Sequence, residues 1–443
     1  MKARNFLLVA FILFQGILTA QQVITLEKAI STGIQNSSTL QTTDSRMKIS
    51  QARYDEIVSQ RLPLLQLSAG YQHLSEVPPF AVKLPFSPVP VTIQESILNQ
   101  YQLKLSLIQP LFTGFRLVSQ QRAAEQLILA NQASYRKEMN EEVFRIASAY
   151  MQLYLAREQY SVAQEMLKSA SAHATDAESF FHNGLITKND LLKIKVQHSS
   201  AGIACVEAQN AFQNASMQFL KTIGLPLDTR FSIPDGFSPL TTVIPDSAEA
   251  LQAALTERNE LQELALRIKA TENLKTAAQS GWYPQVHLHS SFSYNRPNQR
   301  IMPAKDQFDD TWDVGVSLQW NLWDWGGTSA RTEQASEEMR GLQIASAQTK
   351  DAICLEVNNY ILNFRAAQER VKLAELLVEQ SKEEYTSTNT AFRLQAVTST
   401  ELLDSENAYF KNRSLLLQVK VQQELIKLAL LKSTGKPLQQ LLQ

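Results

Sequence analysis

Cysteine, glycine and proline are all sparse in this 443-residue chain, with 2, 14 and 15 copies respectively. Two cysteines, Cys205 and Cys354, cannot make a disulfide framework or a thiolate zinc site by themselves. So little glycine and proline disfavours a loop-rich all-β fold and leaves long helices as the better use of the chain. An excess of one charge is missing too: 42 Lys+Arg stand against 43 Asp+Glu, so no basic surplus points to nucleic acid. Beyond the N-terminus no apolar run reaches the roughly 18 residues of a spanning helix, so any membrane crossing would have to be a β-barrel. No phosphate-cradling glycine loop, nucleophile elbow or zinc motif occurs, so neither a cofactor nor enzymatic catalysis is expected.

What is present begins with an address. Lys2 and Arg4 precede the apolar run Phe6 to Phe14, and a short stretch ends at Ala20, the order of a secretory signal peptide over 1–20. A buried N-terminal helix is the alternative, disfavoured because polar sequence follows at once.

The remainder is one unit written twice. Residues Ser106 to Leu227 align with Ser317 to Leu438 at a constant offset of 211, without a gap. Matches include Leu111/Leu322, Phe181/Phe392, Thr187/Thr398, Leu191/Leu402 and Gly224-x-Pro226-Leu227 with Gly435-x-Pro437-Leu438. Upstream the offset becomes 221, with Ala29/Ala250, Leu40/Leu261, Pro63/Pro284 and Leu67/Leu288. The first repeat is therefore placed at 21–227, a proline-bearing linker at 228–245, the second repeat at 246–438 and a short tail at 439–443.

Prolines mark the element ends. None lies between Pro110 and Pro226, or between Pro303 and Pro437, so these tracts are free of a residue that costs a helix about 3 kcal/mol. Long helices are expected at about 116–183 and 327–394, each roughly 100 Å at ~1.5 Å per residue. Within them Ile353, Val357, Tyr360, Phe364, Ala367, Val371, Ala374 and Val378 alternate spacings of four and three. Ile146, Ala149, Leu153, Ala156, Tyr160, Ala163 and Leu167 stand at the equivalent sites of the first copy. This is a coiled-coil seam, with a closed helical bundle as the alternative.

Four segments alternate apolar and polar residues, at about 64–74, 100–110, 285–295 and 312–322. Leu65, Leu67, Ala69 and Tyr71 interleave with Gln66, Ser68, Gly70 and Gln72, and Trp312, Val314, Val316 and Leu318 with Asp313, Gly315 and Ser317. Period two over about 9–11 residues is the pattern of a tilted strand that crosses a bilayer. All five tryptophans (Trp282, Trp312, Trp320, Trp323, Trp325) lie in or beside these segments with Tyr71, Tyr101, Tyr283 and Tyr294, as expected of membrane-interface aromatics. A half-buried soluble sheet is the alternative. Four strands cannot close a barrel, and an open edge cannot sit in lipid, so the barrel must be shared between chains. Two copies would give a filled eight-stranded barrel and three a twelve-stranded one with a lumen, which favours a trimer. His287 and His289 share a strand face but lack a third ligand and read as lumen-lining polar residues rather than a metal site.

The chain resembles the TolC family of outer-membrane efflux channels. The marks are Gln109-Pro110-Leu111-Phe112-x-Gly114, the turn Asn183-Gly184-Leu185-Ile186-Thr187, the Leu-Leu pairs after each turn, and their duplicated order. The resemblance implies a mainly α homotrimer, with a twelve-stranded barrel in outer-membrane lipid and an α-helical coiled-coil barrel in the periplasm. It also implies docking on a periplasmic adaptor (membrane fusion) protein bound to an inner-membrane pump, proton-driven or of ABC type, for efflux or type I secretion. Adaptor docking would fall on Gly184, Leu185, Ile186 and Thr187, and on Gln395, Ala396, Val397 and Thr398. Gln395 stands where the first turn has glycine, so the second turn's backbone shape is an open question.

Glu401 and Asp404, three apart on one helix face, would put six carboxylates around a threefold entrance, and the resemblance makes them the periplasmic gate. Without it, such a pair is a solvated helix face. Asn189 and Asp190 match family positions whose polar links hold the tip closed, but Val397 occupies the place of the expected basic partner. From a different class, the alternative function is a soluble periplasmic coiled-coil scaffold or adaptor.

Overall fold

The computed structural model describes residues 22–83, 85–94, 96–236 and 246–441. The expected leader at 1–20, residues 237–245 of the expected linker and residues 442–443 of the tail lie outside the described residues. The chain divides into two compact units, and each takes segments from both repeats. One gathers the chain up to Asp44, Ser134–Leu261 and everything from Gln348, while the other holds Ser45–Ala133 and Gln262–Ala347.

The helices are α1 (Leu26–Asn36), α2 (Ser38–Ser59), α3 (Arg116–His182), α4 (Lys188–Thr222), α5 (Ser247–Glu257), α6 (Asn259–Ala278), α7 (Gly327–Arg393), α8 (Ser399–Ser433) and α9 (Leu438–Leu441). The two 67-residue helices, α3 and α7, lie inside the proline-free tracts and match the expected spans 116–183 and 327–394 to within a residue at each end. All eight expected seam positions on α7 are buried or half-buried, as are their seven counterparts on α3. The apolar stripe is what holds helices of this length, because propensity alone is marginal.

In the first unit the repeats pack in parallel ways. Ala29 and Ile30 of α1 lie in a core with Ile146, Leu153, Phe219 and Leu428. Ala250 and Ala254 of α5 lie in a second core with Ile353, Val357 and Leu430. Each return helix ends on a left-handed glycine against the end of the short helix of its own repeat. A Cβ on Gly224 would stand 2.5 Å from the Asn36 Cβ, and one on Gly435 would stand 2.7 Å from backbone atoms of Glu257 and Arg258. Backbone cannot step aside as a side chain can. Gly435→Ala is therefore expected to destabilise the fold by about 1–3 kcal/mol, through a forced positive φ and overpacking. The denaturant midpoint of the detergent-solubilised protein measures it.

The linker holds more than a connection. Phe231–Ser232 pair in parallel with Gln22–Val23, so the two residues flank the start of the first repeat as β6 and β1. Such a pairing has no periodicity for a sequence to display.

The second unit carries a four-stranded antiparallel sheet of β2 (Leu64–His73), β5 (Asn99–Thr113), β7 (Gln285–Arg296) and β8 (Asp309–Gln319), in the order β2-β5-β7-β8. The stretch between β2 and β5 contains a small hairpin of β3 (Phe80–Val82) and β4 (Val91–Gln94). β5 runs past the expected end at Pro110 with a register shift between Pro110 and Phe112. Proline is tolerated there because β2 pairs only as far as Ile108, leaving one neighbour to satisfy. β8 lies three residues earlier than expected: its partner β7 starts after Pro284, so Trp320 to Leu322 have no strand to pair with.

Register sorts the two faces. Leu67, Leu105, Phe292 and Trp312 form one row across all four strands, and Leu65, Leu107, Ser290 and Val314 form the next row on that face. The opposite face carries Gln66, Ser106, Ser291 and Asp313, then Ser68, Lys104, Ser293 and Thr311. Leu65, Leu67, Val314, Val316 and Leu318 are each more than 60 % exposed. A contiguous apolar sheet face of this kind does not face water in a stable monomer. Among the described residues no helix is long and apolar enough to cross a membrane.

Candidate functional site

Two hairpin turns, one per repeat, lie together in the first unit. In the first, the Gly184 N–H donates to Phe181 O at 3.0 Å and Leu185 N–H to Phe180 O at 2.8 Å. In the second, Gln395 N–H donates to Phe392 O at 2.9 Å and Ala396 N–H to Ala391 O at 2.8 Å. Both are Schellman ends, which need a left-handed residue just after the helix. Gly184 supplies it at φ 74° and Gln395 at φ 59°, so the second turn keeps the shape of the first without its glycine. A side chain in that region is held against an intrinsic cost of about 1–2 kcal/mol. Gln395→Val is expected to destabilise the turn further, seen as faster trypsin cleavage after Arg393, whereas Gln395→Gly leaves the rate at or below that of the parent.

Each following helix opens with a capping box, a signal present in the sequence as Thr187-x-x-Asp190 and Thr398-x-x-Glu401. Asp190 N–H donates to Thr187 Oγ1 at 3.2 Å, and Glu401 N–H to Thr398 Oγ1 at 3.3 Å. The carboxylates answer by accepting from the threonines, at 2.6 Å from Thr187 Oγ1 and 2.7 Å from Thr398 N–H. Glu401 is thus held by its own helix start, while Asp404, one turn on, is exposed. The Thr398 N–H and hydroxyl hold the Glu401 carboxyl below the usual range, and the Thr187 and Ser399 hydroxyls do the same for Asp190. Lowered pKa values mean that both caps are intact above the ordinary carboxylate range and weaken as pH falls through it.

Polar contacts tie the two repeats. Ser399 Oγ donates to Asp190 Oδ1 at 2.8 Å, Lys193 Nζ to Thr400 Oγ1 at 3.1 Å, and Gln197 Nε2 to Asn407 Oδ1 at 2.6 Å. Of the two residues expected to hold the tip, Asp190 makes such a link, and Asn189 is exposed beside it. Val397, at the place of the missing basic residue, packs with Ile194, Phe392 and Leu402. Arg393 instead reaches Asp176 of α3 at 3.9 Å. Leu185, Ile186 and Thr187 on one side and Gln395, Val397 and Thr398 on the other line a groove of about 340 Å³ between the turns.

The aromatics expected at a membrane interface fall into two sets, one toward each end of the sheet of the second unit. At the end away from the long helices, Tyr71 and Tyr101 are 5.1 Å apart and Phe308 stacks on Tyr294 at 5.1 Å, with Trp312 further along β8. At the other end, Trp320 Nε1 donates to Trp282 O at 3.2 Å, Tyr283 meets Phe115 at 5.5 Å, and Trp323 meets Trp325 at 5.9 Å. Apolar rows separate the sets.

A model of the outer membrane efflux protein family matches residues 29–225 and 250–436, covering both repeats. The chain belongs to the outer membrane efflux protein family. It is 23% identical over 333 residues to the alkaline protease secretion protein AprF of Pseudomonas aeruginosa, covering 73% of this chain and 67% of AprF. It is 21% identical over 343 residues to the outer membrane efflux protein BepC of Brucella suis, covering 75% of this chain and 71% of BepC. Among solved structures, the CmeC outer membrane channel of Campylobacter jejuni shares the fold, with a TM-score of 0.79 at 14% identity over 93% of this chain and 86% of CmeC. This is the family that the duplicated turns and strands resemble. Cys205 and Cys354, on α4 and α7, are free thiols. Among the described residues no group of three or more His, Cys, Asp or Glu side chains could hold a metal ion.

Proposed function

We propose that three copies join their sheets into one twelve-stranded barrel in the outer membrane, and that the chain is the passive exit duct of a tripartite assembly. The observation that carries this reading is the register. One face of the four strands is mostly apolar, and among the described residues β2 and β8 each lack a neighbour on their outer side. Unsatisfied edges are costly in hydrocarbon. Because the chain contributes an even number of antiparallel strands, β2 of the next copy can lie antiparallel to β8, and the ring closes without a break in the ladder. Two aromatic belts with apolar rows between them fit the two interfaces of a bilayer.

On this reading the opposite face, with Lys104, Asp313, His287 and His289, lines the lumen. The paired turns form the periplasmic tip where the adaptor docks, with an inner-membrane pump supplying energy, and Glu401 and Asp404 ring the entrance. The names of AprF and BepC speak of protease secretion and of efflux. An exit duct is what the two have in common.

The test is fractionation and electrophysiology of the full chain. Heat-modifiable trimers extracted from outer membranes, conducting in planar bilayers, support the reading. Release by osmotic shock as a soluble protein overturns it in favour of the scaffold.

A further inference from the structure

A buried polar cluster sits between the repeats, apart from the turns, in the first unit. Glu406 of α8 is 0% exposed and His173 of α3 is 3% exposed. The Ser169 hydroxyl donates to Glu406 Oε1, and Tyr385 of α7 lies 2.8 Å from Ser169 Oγ. His173 Nε2 is 3.2 Å from the Tyr385 hydroxyl and 3.5 Å from Glu406 Oε1. Among the described residues none hydrogen-bonds to Glu406 Oε2.

With Glu406 ionised the carboxylate can only accept, and the Ser169–Glu406 bond then sets the direction of the others, with His173 Nε2 also 3.4 Å from Ser169 Oγ. Ser169 therefore donates to Glu406 and must accept from Tyr385, so Tyr385 accepts from an N–H on His173 Nε2. Burial pushes the Tyr385 phenol up, which keeps the proton that this chain requires. The result is a one-way relay from imidazole to carboxylate that spans α3, α7 and α8. Removing a buried anion's charge partner is strongly destabilising, and one oxygen of this carboxylate already lacks a donor.

Three ion pairs lie at the margin of the cluster. Arg413 of α8, packed on Tyr409, pairs with Glu165 of α3; Arg393 of α7 faces Asp176 of α3; Lys195 of α4 pairs with Glu178 at 2.7 Å. His173 is the ion-pair partner the structure gives Glu406 among the described residues. Imidazole is also the side chain that gains or loses a proton in the physiological range.

We propose that Ser169, His173, Tyr385 and Glu406 form a clamp between the two repeats that grips while His173 carries a second proton and loosens the periplasmic entrance when that proton leaves. This rests on the channel reading. The sign follows from the geometry: a doubly protonated ring 3.5 Å from the buried Glu406 carboxylate is attracted to it, so loss of the proton weakens the clamp and rising pH favours release, by at most about tenfold in equilibrium constant per pH unit for one proton. Over that window the Glu401 carboxyl, held low by Thr398, does not titrate.

The experiment is open probability of the purified full-length trimer in planar bilayers, with matched pH on both sides from about 5.5 to about 8.5. The parent is expected to open more as pH rises, approaching the one-proton slope before levelling. His173→Gln and the neutral pair His173→Gln/Glu406→Gln are expected to lose that slope while remaining heat-modifiable trimers. The double variant leaves no buried charge, so it guards against a single replacement that fails to fold. A parent without pH response, or variants that keep the parent's slope, overturns the clamp and leaves the channel standing. A trimer that never conducts overturns the channel reading, and the clamp with it.

Discussion

Arginine at Leu105 is expected to abolish assembly of the outer-membrane trimer, whereas arginine at the neighbouring Ser106 is expected to leave it intact. Leu105 lies in the middle of β5, between Leu67 on one side and Phe292 on the other, within a row that ends on Trp312. A cationic side chain on the lipid face of a β-barrel costs up to about 2–4 kcal/mol, most at the bilayer midplane, and threefold repetition makes that up to about 6–12 kcal/mol per trimer. Folded proteins hold only about 5–15 kcal/mol in reserve, so the change consumes most or all of it. Ser106 points to the other face, in a row with Gln66, Ser291 and Asp313, where a charge meets water and a carboxylate. The readout is the heat-modifiable trimer band in outer-membrane fractions. Equal trimer from both variants would mean that the apolar face does not meet lipid, and the barrel would go with it.

That contrast depends on register, and the two faces, unlike some strand ends, are legible in the order of residues alone. Alternation at Leu65, Leu67, Ala69 and Tyr71 assigns faces because side chains on a strand repeat every two residues. The absence of proline leaves α3 and α7 free to run unbroken, since a proline acts locally through its missing N–H, and the turns at Gly184 and Gln395 end them. What stays hidden depends on partners distant in sequence. β5 can continue through Pro110 only because β2 has already ended, and β8 has to stop where β7 begins. β6 exists because Gln22–Val23 comes to lie beside it.

At the turns, the matching hydrogen bonds show that Gln395 accepts the left-handed conformation; a missing glycine alone could not say so. The capping boxes are legible in Thr187-x-x-Asp190 and Thr398-x-x-Glu401, and they change how Glu401 is understood. The buried cluster leaves a fainter mark. His173 interrupts the buried stripe of Ala170 and Ala177, and Glu406 interrupts Leu402 and Phe410, at helical spacing. A polar residue on an apolar stripe asks for a partner, but only the packing of three helices says which.

The capping role of Glu401 decides how the entrance charges can be tested. Deleting the side chain would unmake the helix start along with the charge, because Thr398 N–H donates to Glu401 Oε2 at 2.7 Å. Glutamine can fill the same place in a capping box, so Glu401→Gln removes charge while keeping the cap. Asp404 is exposed, and Asp404→Asn keeps its size. The double variant is therefore expected to fold and conduct like the parent, with selectivity altered. Six carboxylates around one constriction attract cations, and their effective interaction near a surface is on the order of 4 kcal/mol per unit charge pair at 4 Å, before screening. Loss of all six should lower cation preference about tenfold or more at low salt, with less change near 1 M, where the Debye length shrinks to about 3 Å. Reversal potentials across a salt gradient measure the preference, and block by an added polycation should weaken in parallel. If selectivity and block are unchanged while trimers and single-channel events persist, these carboxylates lie away from the constriction, and Glu401 is left with its cap alone.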